Sequence, residues 1–393
     1  MGINGMGLTG VILASVSLTV VFNSILCGNT IVYFMNRYNV RYVFYPAYIW
    51  AFAGSATACG ILTIAGMMPA GYCWAVFTLS ALLSLINTNT LILLGLDKVK
   101  AFNMIHIILG LMTFLCLMLI YFVFGYKTVT GYLTGLYTAY AFAFLLSLLL
   151  LLPALKKKKP VETSFWDVLK EMFVYGLWGG VDNLSEGLTT RLNYFLINKL
   201  GGYGNVGLLD SGTKISESVW HLSNSVSYIE YNSVSKTTDT KEQKRVTLQL
   251  FKLTFFALAI VTGILVMIPE WIFTDYLLTA EFAGISKVIA ALGVGIVTYG
   301  SNRILSHFFI GSGNIRYSAF CSIFGLIVLV IAGLFIIPAH GVVGAAVTSS
   351  VAFTAMLVFS CIVFNKLTNS CLKEFLPSKD DIAVLRKILK IKT

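Results

Sequence analysis

The sequence predicts an all-α, polytopic membrane protein of about 11 transmembrane helices in two bundles. Three observations carry this expectation. Of 393 residues, 57% are hydrophobic and 11% charged, against roughly 25% charged in a soluble domain. So few charges cannot cover a soluble surface of this size, and hydrocarbon is the expected solvent for much of the chain. Apolar runs near the ~20 residues that a bilayer core requires recur from end to end. Finally, the basic residues are sorted between alternate loops.

Spans are predicted near 8–34, 43–65, 72–95, 103–124, 129–153, 170–198, 205–233, 247–268, 284–310, 317–337 and 341–364. Breakers separate them, such as Met68-Pro69-Ala70-Gly71 and Gly201-Gly202-Tyr203-Gly204, because Pro and Gly interrupt helical backbone. No connection is long enough for a soluble domain. The tetralysine Lys156–Lys159 parts five spans from six. This predicts an N-terminal bundle over 1–155, a basic cytoplasmic linker over 156–166, a C-terminal bundle over 167–366 and a basic tail over 367–393.

Alternate loops differ sharply in charge. One set, from Arg37 and Arg41 to the tail, holds 20 basic residues, and the other holds only Lys127, Lys199 and Lys287. Glu270, Asp275 and Glu281 fall on the poor side. Lys and Arg gather on the cytoplasmic face because their translocation is costly. The C-terminus is therefore expected in the cytoplasm and, with eleven spans, the N-terminus outside. The net charge of +11 thus reads as membrane topology, and no nucleic-acid partner is expected. A bare N-terminus crossing unaided, and five spans set against six, predict a chain short of one N-terminal helix.

The first five spans carry no Asp, Glu, Lys or Arg. Their milder polar residues (Asn23, Asn29, Asn87, Asn89, Asn103 and His106) are expected to bond to neighbouring helices. The seventh span differs. Asp210, Lys214, Glu217, His221 and Asn224 recur at steps of four and three, which puts them on one helical face. A charged face cannot meet lipid, so it must meet protein or a wet cavity. In the sixth span Asp182, Glu186 and Asn193 share a face, with Arg191 roughly opposite Asp182. The ninth holds Arg303 and His307, one turn apart. The seven cysteines form no CxxC pair or metal spacing and read as small buried hydrophobes. Phosphate-binding loops, HExxH and nucleophile-elbow motifs are missing, so neither a cofactor nor an enzymatic activity is expected.

From about residue 165 to 380 the chain resembles a known family. The matching stretches are Arg191-Leu-Asn-Tyr-Phe-Leu-Ile197, Val206-Gly207, Lys214-Ile-Ser-Glu-Ser-Val-Trp220, Gly313-Asn314, Pro338-Ala-His-Gly-Val-Val-Gly-Ala-Ala346 and Lys373-Glu-Phe-Leu-Pro377. They are similar to the Wzx-like O-antigen and polysaccharide translocases of the multidrug/oligosaccharidyl-lipid/polysaccharide (MOP) flippase superfamily. The resemblance implies a twelve-helix fold here lacking its first helix, in the bacterial cytoplasmic (inner) membrane. It implies that the chain moves an undecaprenyl-pyrophosphate-linked oligosaccharide between leaflets by alternating access. Asn193 departs from the family, where an Asp often stands.

A flippase must shelter a polar headgroup in a wet cavity while the polyprenyl tail stays in lipid. Arg191, Lys214 and Arg303 are the candidates to hold the pyrophosphate, with Glu217 and His221 beside them in the cavity. Asp182, Glu186 and Glu217 are candidates for coupling to H+ or Na+. Two alternatives remain open at this level: a cation-coupled multidrug exporter of the same fold, and a membrane polysaccharide polymerase or ligase.

Overall fold

The computed structural model describes residues 2–28, 30–35, 38–156, 164–237 and 239–375. Among them are eleven α-helices and no strand. These are α1 (Ile3–Cys27), α2 (Thr30–Met35), α3 (Val40–Ile64), α4 (Cys73–Gly95), α5 (Val99–Met118), α6 (Val129–Lys156), α7 (Phe165–Glu217), α8 (Trp220–Lys236), α9 (Thr240–Met267), α10 (Ile285–Gly311) and α11 (Ile315–Thr368). Single wide π turns extend α5 (Leu119–Val123) and follow α9 (Ile272–Leu277).

The polytopic expectation holds, with changes of detail. Among the described residues, eight helices are long and apolar enough to cross a bilayer. The first predicted span is interrupted near Gly28, where α1 ends and α2 begins. The helix α7 is not among the eight, because Asp167, Lys170, Glu171, Asp182, Glu186 and Arg191 dilute its first rod. The 54-residue α11 is two rods. Gly341 takes φ 56° and ψ −131° there, outside the helical region and hardly open to a residue with Cβ. Phe324 stacks on Phe359 with centroids 4.8 Å apart, and Gly325 lies against Met356. Pairs that converge on one centre in this way define an antiparallel hairpin folded at Gly341. Gly202 (φ 70°, ψ −175°) likewise leaves the helical region within α7.

The chain divides into two compact units. The first is Met1–Asn198 with Gly202–Gly207, and the second is Lys199–Gly201 with Leu208–Thr393. This differs from the division expected from the tetralysine, since the first rod of α7 joins the earlier unit. Its glycines explain the difference. A Cβ on Gly176 would meet the Ile25 carbonyl, one on Gly180 the Ile25 side chain, and one on Gly187 the Val21 methyls at 3.4 Å. Small residues let α7 lie close along α1, as membrane helices do. Tyr38 Oη adds a 2.6 Å hydrogen bond to Glu171, and Asn183 Nδ2 donates to Ser24 Oγ at 3.1 Å. Most of the predicted linker, residues 157–163, lies outside the described residues, as do residues 376–393 of the predicted tail.

In the first unit, apolar side chains such as Ile31, Phe34, Val43 and Ile86 form the core. Polar residues tie the helices together inside it. Asn23 Nδ2 donates to Ser55 Oγ on α3 and Ser84 Oγ on α4, both at 2.8 Å. Tyr48 Oη donates to Asn89 Oδ1 at 2.7 Å, and Asn89 Nδ2 donates to Ser147 Oγ on α6 at 2.9 Å. Asn23 and Asn89 therefore bond between helices, as the sequence led one to expect. The helix α5 is largely apolar yet buries only Ile105. Ile107, Phe114 and Leu111 stand at least half exposed. A contiguous apolar surface of this kind requires hydrocarbon around it.

In the second unit α10 is the most enclosed helix, with Val288, Ile296, Ile304 and Phe308 buried. Gly295 admits the second rod of α11 closely enough for its N–H to donate to Ser350 Oγ at 3.2 Å. Ser350 Oγ donates in turn to the Ala291 carbonyl at 2.6 Å. After α11, Phe375 rests on Phe251 and Phe364 with centroids 5.1 and 5.7 Å away. Lys244 Nζ lies 2.8 Å from Glu374 Oε2. The Lys244 ammonium beside it, and the Cys371 N–H, hold the Glu374 carboxyl below the usual carboxylate range.

Candidate functional site

The polar residues singled out in the sequence fall in both units. In the first unit the rod 165–198 carries Asp182, Glu186, Arg191 and Asn193. Asp182 and Asn193 are buried and Glu186 and Arg191 half-buried. Arg191 Nη1 lies 3.2 Å from Tyr194 Oη, and the guanidinium stands 5.5 Å from that ring's centre. Tyr194, one turn along, thus holds Arg191 by a hydrogen bond and by its π face.

In the second unit the expected single stripe is not on one helix. The helix α7 ends at Glu217 and α8 begins at Trp220. Around Ser218 the backbone ladder loosens, with Ser218 N 3.3 Å from Lys214 O and His221 N 3.4 Å from Ser218 O. Ser218 Oγ meanwhile donates to Ile215 O at 2.7 Å. Serine hydroxyls compete for helix carbonyls in this way, and this region is rich in serine. Asp210, Lys214 and Glu217 therefore lie on α7, and His221 and Asn224 on α8. Lys214 Nζ is 2.7 Å from Asp210 Oδ2, with the lysine side chain 44% exposed and the aspartate 3%. Glu217 is half-buried and His221 exposed.

Arg303 comes from α10. Its Nη1 donates to Asn224 Oδ1 on α8, and its guanidinium stands 5.5 Å from the Tyr299 ring centre. Tyr299 belongs to an aromatic cluster that sequence reasoning missed. Trp220 lies 4.3 Å from Tyr299 and 5.9 Å from Phe353, and Tyr299 lies 4.7 Å from Phe353. Trp220 Nε1 donates to the Ile296 carbonyl at 3.0 Å. The spacing of Tyr299 and Arg303, one helical turn apart, is legible in the sequence, but their meeting with Trp220 and Phe353 is not. His307, one turn beyond Arg303, sets its ring edge against Tyr231 at 6.2 Å.

The structure thus brings Lys214 to Asp210, Arg303 to Asn224, and Arg191 to Tyr194. It also exposes an omission. Glu230 on α8 is fully buried, yet it lies off the stripe and the sequence gave no reason to single it out.

No family model and no curated protein matches the sequence. Solved structures do match in fold. A multidrug resistance MATE family transporter of the MOP superfamily is 13% identical, with a TM-score of 0.72 over 94% of this chain and 91% of that one. The lipid II flippase MurJ is 13% identical, with a TM-score of 0.69 over 100% and 87%. A MOP superfamily transporter from Pyrococcus furiosus is 14% identical, with a TM-score of 0.63 over 93% and 88%. The chain is a multi-pass, all-α membrane protein with the fold of MOP superfamily transporters.

Proposed function

We propose that the chain is a flippase for an undecaprenyl-pyrophosphate-linked oligosaccharide, an O-antigen or capsule repeat unit, and not an enzyme. The observation that carries this reading is the set of cationic side chains on helices of a membrane fold, Arg191, Lys214 and Arg303. Each is held by its own neighbour. A cation on a helix of such a fold is a functional candidate, and a pyrophosphate is an anion well served by a guanidinium fork or an ammonium. The MurJ match supports the reading at the level of fold, since that protein is described as a lipid II flippase.

Glu217 and His221 complete the proposed binding set, and Asp182, Glu186 and Glu217 are the proposed coupling sites for H+ or Na+. The bilayer proposed is the bacterial inner membrane, with the C-terminus in the cytoplasm. A second reading, a cation-coupled multidrug exporter, rests on the MATE match.

Surface polysaccharide display separates the two readings. Arg191→Ala, Lys214→Ala and Arg303→Ala should each reduce display at least tenfold at normal membrane abundance. Each charge-assisted contact to phosphate is worth ~1.5–3 kcal/mol. Arg303→Lys should keep part of the activity. Asn in place of Asp182, or Gln in place of Glu186 or Glu217, should abolish gradient dependence at whichever site couples the ion. Wild-type display by all three alanine variants, with efflux of a cationic dye lost, would replace the flippase with the exporter.

A further inference from the structure

Glu230 lies on α8 and its residue is 0% exposed. Its Oε2 has no hydrogen-bond partner among the described residues. Its Oε1 is 2.8 Å from Thr247 Oγ1 on α9. That hydroxyl also lies 2.9 Å from the Gln243 carbonyl. A carboxylate and a carbonyl both accept, and a threonine hydroxyl has one hydrogen. A carboxylate at Glu230 therefore leaves one of these two close contacts without a hydrogen. A proton on Oε1 satisfies both, with Glu230 donating to Thr247 and Thr247 donating to Gln243.

The surroundings supply no counter-charge. From α9, Lys244 is engaged with Glu374, the half-buried Lys252 also acts on Glu374, and Lys241, Glu242 and Arg245 are exposed. From α10, Arg303 is engaged with Asn224 and Tyr299, and His307 faces Tyr231. On α8 itself, His221 is exposed. No ion pair to Glu230 exists among the described residues. The group lies six residues from the end of α8, about 9 Å along the axis at 1.5 Å per residue. Gln243 bridges that end. Its Nε2 donates to Val234 O at 3.1 Å and Thr237 O at 2.8 Å, and its carbonyl accepts from Thr247, so it links the end of α8 to the hydroxyl that meets the carboxyl.

We infer that Glu230 is an exchangeable proton-binding site of the second unit, entered past Gln243, and that the driving ion of transport is a proton bound there. The step is a proton transfer only. A hydronium ion at the α8–α9 loop protonates one carboxylate oxygen and becomes water, and in the other state of the transport cycle the carboxyl releases that proton to water on the opposite side of the membrane. The inference rests on the transport reading of the fold but not on the identity of the cargo, and it names a residue distinct from Asp182, Glu186 and Glu217.

The test uses the full chain in lipid nanodiscs and infrared difference spectra across a pH series. Wild type should show a protonated-carboxyl carbonyl band that converts to carboxylate as the pH rises. Glu230→Gln should lack it. Gln243→Ala should exchange the proton with deuterated water at least tenfold faster. In proteoliposomes under an imposed pH gradient, Glu230→Gln should lose at least tenfold of the gradient-driven rate. If Glu230→Gln does not accumulate, Glu230→Asp keeps a carboxyl but withdraws it from Thr247, and should shift the same titration. A band unchanged in Glu230→Gln, a band that never titrates, or equal gradient-driven rates in variant and wild type would overturn the inference. The infrared arm needs no cargo. If the oligosaccharide does not move, the flippase reading fails, and the band still supports or overturns the site by itself.

Discussion

Each notable side chain here is defined by the neighbours that helix packing brings to it. Trp220 begins α8, fills the space between Tyr299 and Phe353, and donates to a carbonyl of α10. It thereby fixes the helix that carries Asn224, the partner of Arg303. Trp220→Phe removes the donor but keeps most of the ring, and should cost ~1 kcal/mol. Trp220→Ala leaves a cavity and should cost ~3–5 kcal/mol. Thermal unfolding in detergent should rank wild type, Phe and Ala in that order, and Phe retained with Ala lost would fit the packing role. Equal melting of Ala and wild type would show that the cluster does not brace α8. Much of this was readable: the charges at 191, 214 and 303 stand out in apolar sequence. Glu230 did not stand out, because a carboxyl near a helix end flanked by Lys236 and Lys241 looks solvated until tertiary packing buries it.

Helices in this fold are shaped by where glycine permits a turn or a close approach. Gly341 makes the hairpin of α11, and open space surrounds its Cβ position. The cost of Gly341→Ala is thus conformational, ~1–3 kcal/mol for a backbone region that residues with Cβ avoid. Gly176→Ala is a different case, since its Cβ would strike the Ile25 carbonyl and force α7 away from α1. Both variants should melt earlier than wild type. A second-site change of Ile25 to a smaller residue should not rescue Gly176→Ala, because the obstacle is backbone. Rescue by such a change would refute that account. The motif Pro338-Ala-His-Gly marked a boundary in the sequence, and the φ of Gly341 supplies the reason. The interruption at Ser218 was invisible, because periodicity continues across it while the backbone ladder does not.

At the scale of the whole molecule, loop charge predicts orientation. Reporter fusions after Lys159 and after Lys366 should report cytoplasm, and a fusion at Asp275 should report the opposite side. A cytoplasmic signal at Asp275 would invert the proposed topology and the direction from which Glu230 is reached. The two compact units part within α7, not at the tetralysine. The tetralysine marks a place in the chain, whereas the units follow contacts, and the glycine face of α7 binds that rod to α1.

By itself, then, the sequence determined the solvent, the secondary structure and most spans. Hydrophobic content, run length and loop charge act locally and add along the chain. It also located the cationic residues, since a charge in an apolar run is conspicuous wherever the helix goes. Only the tertiary structure decided which of these residues meet, which helix joins which unit, and which carboxyl loses its water. Burial and partnership depend on residues distant in sequence: Thr247 lies 17 positions from Glu230, and Arg303 lies 79 from Asn224. No helical period can carry that information, because it arises only when separate helices pack.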